Sequence, residues 1–281
     1  MKKKKKLVKK RRKQRYKIST RGKVILGFAA AFMFVCTFSV FYVVIGSYDG
    51  LGLRHNLPES DYQMKNLTEE DGRLYYDDDD YRSVTGIDVS YYQKDIDWEK
   101  VAGDGIEFAM IRLGYRGSEE GQLHLDSRYR ENLRGAKKAG LAVGVYFFSQ
   151  AVTTDEAVEE AKYVIRRIRG KGIKLPVVFD MEPVAGSDRI SHLTAREKTE
   201  IADAFCQIIE RNGFTAMVYG NPSWLYNDVE LSYLTEYPLW LAHYTDATDY
   251  PYRFSMWQYT EQGRVQGIET DVDINILFVR K

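Results

Sequence analysis

From Val84 to Lys281 the sequence alternates short apolar runs with amphipathic stretches, and this constrains the fold more than any other feature. Such alternation marks repeated strand–helix units, with strands covered on both faces and helices laid over them. Strands are expected at Thr85–Ser90, Phe108–Leu113, Ala142–Phe148, Pro176–Met181, Ala216–Tyr219, Leu239–His243, Phe254–Gln258 and Val272–Leu277. Helices are expected between them at Trp98–Gly103, Ser127–Ala139, Thr154–Arg169 and Thr194–Asn212. Thr153 or Thr154 suits the N-cap of the third helix, and Thr194 stands at capping-box spacing from Glu197. Gly140, Gly170 and Gly213 follow helices where a left-handed residue is favoured. The segment is short for a complete (β/α)8 barrel of about 250 residues, so a barrel with an irregular final third fits best. No internal repeat is present.

The acids cluster at the ends of these strands. In Leu175-Pro-Val-Val-Phe-Asp-Met-Glu-Pro183 an apolar strand runs straight into two carboxylates. Alternate residues of a strand share a face, so Asp180 and Glu182 point the same way, with Val178 beneath them. Val177, Phe179 and Met181 take the other face. Gly86-Ile-Asp-Val-Ser90 places Asp88 at the end of the first strand, and Asp271-Val-Asp-Ile-Asn275 places acids on the last. In a closed barrel those two strands are neighbours, so Asp88 and Asp273 would meet across the ladder, near Asp180 and Glu182. Of Asp271, Asp273 and Asn275, which share a face, only Asp273 is expected to be well placed. The carboxyl end of barrel strands is where such folds do chemistry. Neighbouring carboxylates raise one another's pKa, so one stays protonated while another stays ionised. Cleavage of a glycosidic bond needs that split: an acid for the leaving oxygen and a negative group beside an oxocarbenium-like centre.

The near-balance of 41 Lys+Arg and 40 Asp+Glu hides a division. Residues 1–23 hold 14 of the basic residues and no acid, so 27 basic residues face 40 acidic ones in 24–281. A nucleic-acid-binding protein is disfavoured, because its main domain should itself be positive. Apolar content of 44% and aromatic content of 14% exclude wholesale disorder. Val24 to Gly46 is an uncharged run of a length that would span a bilayer, with the basic tail kept cytoplasmic by the positive-inside rule. A cleaved signal peptide is the rival reading; its apolar core is usually shorter. Residues 47–83 show no sustained apolar periodicity and carry the acidic run Asp77 to Asp80, so an exposed acidic extracellular linker is expected. The expected organisation is therefore 1–23 basic cytoplasmic tail, 24–46 transmembrane signal anchor, 47–83 linker and 84–281 catalytic domain.

The chain from Val84 to Lys281 resembles glycoside hydrolase family 25, the Chalaropsis-type lysozymes. The resemblance rests on an ordered set of motifs. Its first members are Gly86-Ile-Asp-Val-Ser90, Trp98, Phe108-Ala-Met-Ile-Arg112 and Gly140-Leu-Ala-Val-Gly-Val-Tyr146-Phe-Phe. Phe179-Asp-Met-Glu-Pro183, Val218-Tyr-Gly220, Leu239-Trp-Leu-Ala-His-Tyr244, Trp257-Gln-Tyr259 and Val272-Asp-Ile-Asn275 follow. It implies a flattened TIM-like (β/α)5(β)3 barrel. It also implies hydrolysis of the β-1,4 bond between N-acetylmuramic acid and N-acetylglucosamine. By the same resemblance Glu182 looks like the general acid and Asp180 its partner, stabilising the cationic centre or orienting the acetamido group. Asp88 and Asp273 look like supporting acids, and Tyr146, Tyr219, Trp240 and Gln258 look like groove-lining residues. The implied partners are peptidoglycan glycan strands, cytoplasmic-membrane lipids through the anchor, and an envelope-assembly protein. The implied localisation is the bacterial cell membrane, single-pass, with the N-terminus cytoplasmic and the catalytic domain extracellular. The alternative is a catalytically inactive wall-binding or scaffold protein, against which the intact acid cluster argues.

Other chemistries fit less well, and no cofactor or metal is expected. Two cysteines, Cys36 and Cys206, are too few for a disulfide framework or a cysteine metal site. Asp271-x-Asp273-x-Asn275 resembles the start of a calcium loop, but Ile276 stands where glycine is needed. His55, His124, His192 and His243 lack metal-ligand spacing, and His124 is expected in a loop. Ser90 and Ser149 lie outside any Gly-x-Ser-x-Gly elbow.

Overall fold

The computed structural model describes residues 57–281. In chain order the strands are β1 (Leu67–Glu70), β2 (Arg73–Tyr76), β3 (Tyr81–Val89), β4 (Phe108–Arg116), β5 (Leu123–Leu125) and β6 (Ala142–Ser149). They continue with β7 (Val177–Met181), β8 (Ala216–Gly220), β9 (Leu239–Ala242), β10 (Met256–Gly263) and β11 (Val272–Arg280). The helices are α1 (Trp98–Gly103), α2 (Tyr129–Lys138), α3 (Thr154–Ile168), α4 (Ala195–Arg211) and α5 (Pro222–Asn227).

Eight strands close into a barrel in the order β3-β4-β6-β7-β8-β9-β10-β11, with β11 returning to β3. Neighbours from β3 to β10 run parallel; β11 is antiparallel to both β10 and β3. A helix follows each of the first five barrel strands and none intervenes among the last three, which gives the expected (β/α)5(β)3 order. All eight expected strands are present. β3 starts at Tyr81 rather than Thr85, and β10 runs past Gln258 to Gly263. Thr153 caps α3, and Thr194 forms the capping box of α4 with Glu197. Helix α5, unforeseen, is capped by Asn221 and opened by Pro222; its six residues are too few to show an amphipathic period. His124, expected in a loop, lies in β5, which pairs with the outer end of β4.

The barrel strands alternate between two cores. Ala109, Ile111, Val177, Phe179 and Met181 face outward into the larger core beneath the helices, together with fully buried Cys206. Phe108, Met110, Val178, Met217, Trp240 and Met256 fill the interior. Gly86 makes room there: a Cβ at that position would sit 2.3 Å from the Phe108 ring. Following these inner rows towards the carboxyl ends of the parallel strands, the apolar filling gives way to Asp88, Arg112, Asp180 and Gln258.

The segment expected as an exposed linker is corrected over residues 57–83. Its aromatic residues anchor it to the domain. Tyr62 stacks on Phe278 with centroids 3.9 Å apart and meets Tyr76, Tyr81 and Phe254 edge-on. Tyr76 is only 1% exposed, and its hydroxyl accepts a bond from Gln63 N at 3.0 Å. Hairpin β1–β2 turns through Asp71 and Gly72, both left-handed at φ 50° and 75°. An Asp-Gly turn between alternating runs is a hairpin signal that the acidic composition masks.

The expected membrane localisation is also corrected. Among the described residues no helix is long and apolar enough to cross a membrane, so the single-pass placement has no support in the structure. The basic tail at 1–23, the expected span at 24–46 and the first part of the linker lie outside the described residues.

Candidate active site

All eight residues singled out from the sequence line one cavity of about 350 Å³ at the carboxyl end of the barrel. Asp88 comes from the end of β3, Asp180 from β7, and Glu182 follows directly after β7. Asp273 lies at the start of antiparallel β11 and is the direct ladder partner of Asp88. Tyr146, Tyr219, Trp240 and Gln258 come from β6, β8, β9 and β10. The strand alternation that put Asp180 on the face of Val178 therefore aims it into the barrel mouth.

Hydrogen bonds fix the floor of the site. Asp88 Oδ1 accepts from Gln258 Nε2 and from Asn275 Nδ2, both at 2.8 Å. Trp240 Nε1 donates to Asn275 Oδ1 at 2.8 Å, and Tyr219 Oη donates to Gln258 Oε1 at 2.9 Å. Asn275 is thus a hub, contrary to the expectation that Asp273 alone of its trio would be well placed. The third member, Asp271, turns away to pair with Arg264 at 2.7 Å. Behind the site Gln150, 1% exposed, donates from Nε2 to the backbone carbonyl of Glu182 at 2.7 Å.

Burial dominates the electrostatics. It pushes Asp88 well above the usual carboxylate range, with Asp273 and Glu182 adding to the rise while the Asn275 and Gln258 donors oppose it. Asp180 is also pushed well up, by burial and then by Glu182 and Asp88, against the Arg112 guanidinium. Its Oδ1 is buried without a hydrogen-bond partner among the described residues. Burial raises Glu182, opposed by its bond with Asp180. Asp273 is pushed up to about 6 by burial and then by Glu261. Four crowded carboxyls in low dielectric cannot all ionise near neutrality, so the group retains protons there. This is the supply an acid catalyst draws on.

Sequence reasoning missed several lining residues: Arg112, Tyr92, Tyr244 and Glu261. Arg112 was within reach, because it continues the inner row of Phe108 and Met110 in β4. It pairs with Asp126 at 2.9 Å and lies 5.4 Å from the Tyr92 ring centroid. Glu261 lies within the second register shift of β10, between Thr260 and Gly263, which no periodicity announces. Among the described residues no group of three or more His, Cys, Asp or Glu is arranged to hold a metal ion.

Comparison with known proteins agrees with this geometry. A family model described as Glycosyl hydrolases family 25 matches residues 87–268. Lysozyme M1 of Streptomyces globisporus is 30% identical over 207 residues, covering 70% of this chain and 68% of that protein. An uncharacterized Escherichia coli protein, YegX, is 29% identical over 205 residues, 69% of each chain. The crystal structure of a bacterial lysozyme from Streptomyces coelicolor superposes with a TM-score of 0.58 at 26% identity, covering 69% of this chain and 91% of that one. The modular autolysin LytC from Streptococcus pneumoniae, solved with a synthetic peptidoglycan ligand, gives 0.63 at 22% identity. That likeness is one of fold; it covers 76% of this chain and 52% of LytC, so the chain spans about half that autolysin's length.

Proposed function

Because the chain belongs to glycosyl hydrolase family 25 and is a glycoside hydrolase, we propose that it is a muramidase cleaving the β-1,4 bond between N-acetylmuramic acid and N-acetylglucosamine, in cell-wall remodelling or local wall opening. The observation that carries this reading is the convergence of Asp88, Asp180, Glu182 and Asp273 in one cavity, where burial raises all four from their ordinary values. Glu182 follows the strand end, is less enclosed than Asp180 and Asp88, and is the general acid. Its proton passes to the leaving glycosidic oxygen as the C1–O bond breaks, and water adds at C1 as an O–H bond breaks, the released proton returning to the carboxylates and restoring Glu182. Asp180 faces the positive charge that develops at C1 or orients the neighbouring acetamido group. Asp88 and Asp273, paired across β3 and β11, set the charge of the cavity and hold the water. Tyr146, half-buried in the cavity wall, offers ring surface to the apolar C–H faces of the sugars, while buried Tyr219 and Trp240 brace the floor through Gln258 and Asn275.

The test is to incubate purified full-length chain with peptidoglycan and identify new reducing ends by mass spectrometry after borohydride reduction. New muramic-acid ends are expected from the wild type and none from Glu182→Gln. Equal release by both proteins would remove Glu182 from the role of acid. No release by the wild type would sink the muramidase reading.

A further inference from the structure

A second depression of about 1130 Å³ opens beside the catalytic cavity. The two share Tyr244 and Glu261, so they adjoin at these side chains. Tyr244 stands at the junction half exposed, its hydroxyl donating to Gln258 Oε1 at 3.2 Å. One wall of this groove is hairpin β1–β2, which lies outside the matched family segment of residues 87–268. Strand β2 alternates strictly. Leu74 and Tyr76 are buried, while Arg73 and Tyr75 are half-buried and line the groove. The hairpin is fixed in place, since Arg73 pairs with Asp104 and Leu74 N donates to Tyr259 Oη at 3.3 Å. The opposite wall is the end of β10, where a register shift between Thr260 and Gly263 leaves Glu261 and Gln262 without ladder partners on β11.

We propose that this groove holds the glycan strand beyond the bond being cleaved, so that the hairpin makes the enzyme selective for long strands. The inference rests on the muramidase reading and deepens it. Three observations carry it: the groove adjoins the cavity at Tyr244 and Glu261, it is about three times as large, and its lining has the chemistry of a sugar site. Tyr75 and Tyr244 supply aromatic rings suited to sugar C–H surfaces, and Glu69, Asp71 and Glu261 supply acceptors suited to hydroxyl and acetamido hydrogens. None of these three carboxylates is tied up in an ion pair with another described residue.

The experiment uses the full-length chain and peptide-free glycan strands of defined length, following cleavage by chromatography. The wild type should show kcat/KM rising about tenfold from the shortest cleaved strand to long ones. In Tyr75→Ala that ratio should collapse towards one, and Tyr75→Phe, which keeps the ring, should restore it. Melting curves of both variants report whether the hairpin still docks, and Asp71→Asn gives a second probe on the exposed turn. An unchanged length ratio in a stably folded Tyr75→Ala would overturn the proposal. Strand binding by the same proteins, measured by calorimetry against length, reads the groove even without turnover. Loss of all cleavage with length-dependent binding intact would therefore defeat the muramidase reading and leave the groove standing. Length-independent binding by the wild type would defeat the groove.

Discussion

Replacing Asp273 by Asn should make the protein more stable at neutral pH, although it removes a carboxylate from the active site. Asp273 faces Asp88 across the β3–β11 ladder, and its carboxyl is pushed from 3.8 to about 6, first by burial and then by Glu261. A raised folded-state value means that the folded chain binds the proton more tightly than the unfolded one. The associated stability is present below about pH 4 and is lost as pH rises to about 6. At about 1.4 kcal/mol per pH unit the loss is about 3 kcal/mol, and solvent access at the cavity mouth reduces it to about 2 kcal/mol. Asn keeps the shape and carries no charge, so Asp273→Asn should recover about 2 kcal/mol at pH 7.5 and nothing at pH 4. For a domain of this size that is a rise in Tm of roughly 4–8 °C. The assay is thermal unfolding of both proteins followed by circular dichroism from pH 4 to 8. The difference between them matters, because surface carboxylates such as Glu197, whose pKa is lowered by its bonds to Thr194, shift stability in the opposite sense. The same substitution removes a like charge beside Asp88, so the acidic limb of the pH–rate profile should move to lower pH. A variant no more stable than wild type at pH 7.5, or a difference that does not grow between pH 4 and 6, would refute the electrostatic account.

Three further perturbations test other parts of the site and its support. Asn275→Leu removes a donor to Asp88 and orphans Trp240 Nε1, so urea unfolding should show a loss of about 3–5 kcal/mol. Gln150→Leu releases the Glu182 carbonyl and should lower kcat by about tenfold to a hundredfold with KM little changed, measured in steady state. Glu160 is fully buried between Arg116 Nε and Ser149 Oγ, each at 2.7 Å, so Glu160→Gln should cost about 3 kcal/mol in denaturant unfolding by leaving Arg116 under-paired.

The parts of this site that the sequence discloses are those governed by strand periodicity. Asp180 and Glu182 are legible because an apolar strand with a period of two runs into them and Pro183 stops it. Asp88 and Asp273 are legible because barrel closure makes the first and last strands neighbours, and the register pairs the two directly. What stays hidden depends on geometry between elements. The role of Asn275 appears only when Trp240 and Asp88, far apart in sequence, come within 2.8 Å of the same side chain. The hairpin at 67–76 is concealed by its acids, although Asp71-Gly72 carries the turn chemistry. Its packing relies on Tyr62 and Tyr76, whose apolar rings count for more than the charges around them.

Closure of the barrel between β11 and β3 bears on how the chain folds. The bond from Asn275 to Asp88 joins residues 187 positions apart, and the strands that carry them meet only when the barrel shuts. Contacts of such long range form late, after the entropy of closing a very large loop has been met. Until then β3 has an open edge, and both donors to Asp88, Gln258 on β10 and Asn275 on β11, lie across the open seam together with Asp273. The hydrogen bonds that fix Asp88 are therefore expected to form with barrel closure. A chain stalled one strand short of closure would contain most of the hydrophobic core but lack Asn275 and Asp273 beside Asp88.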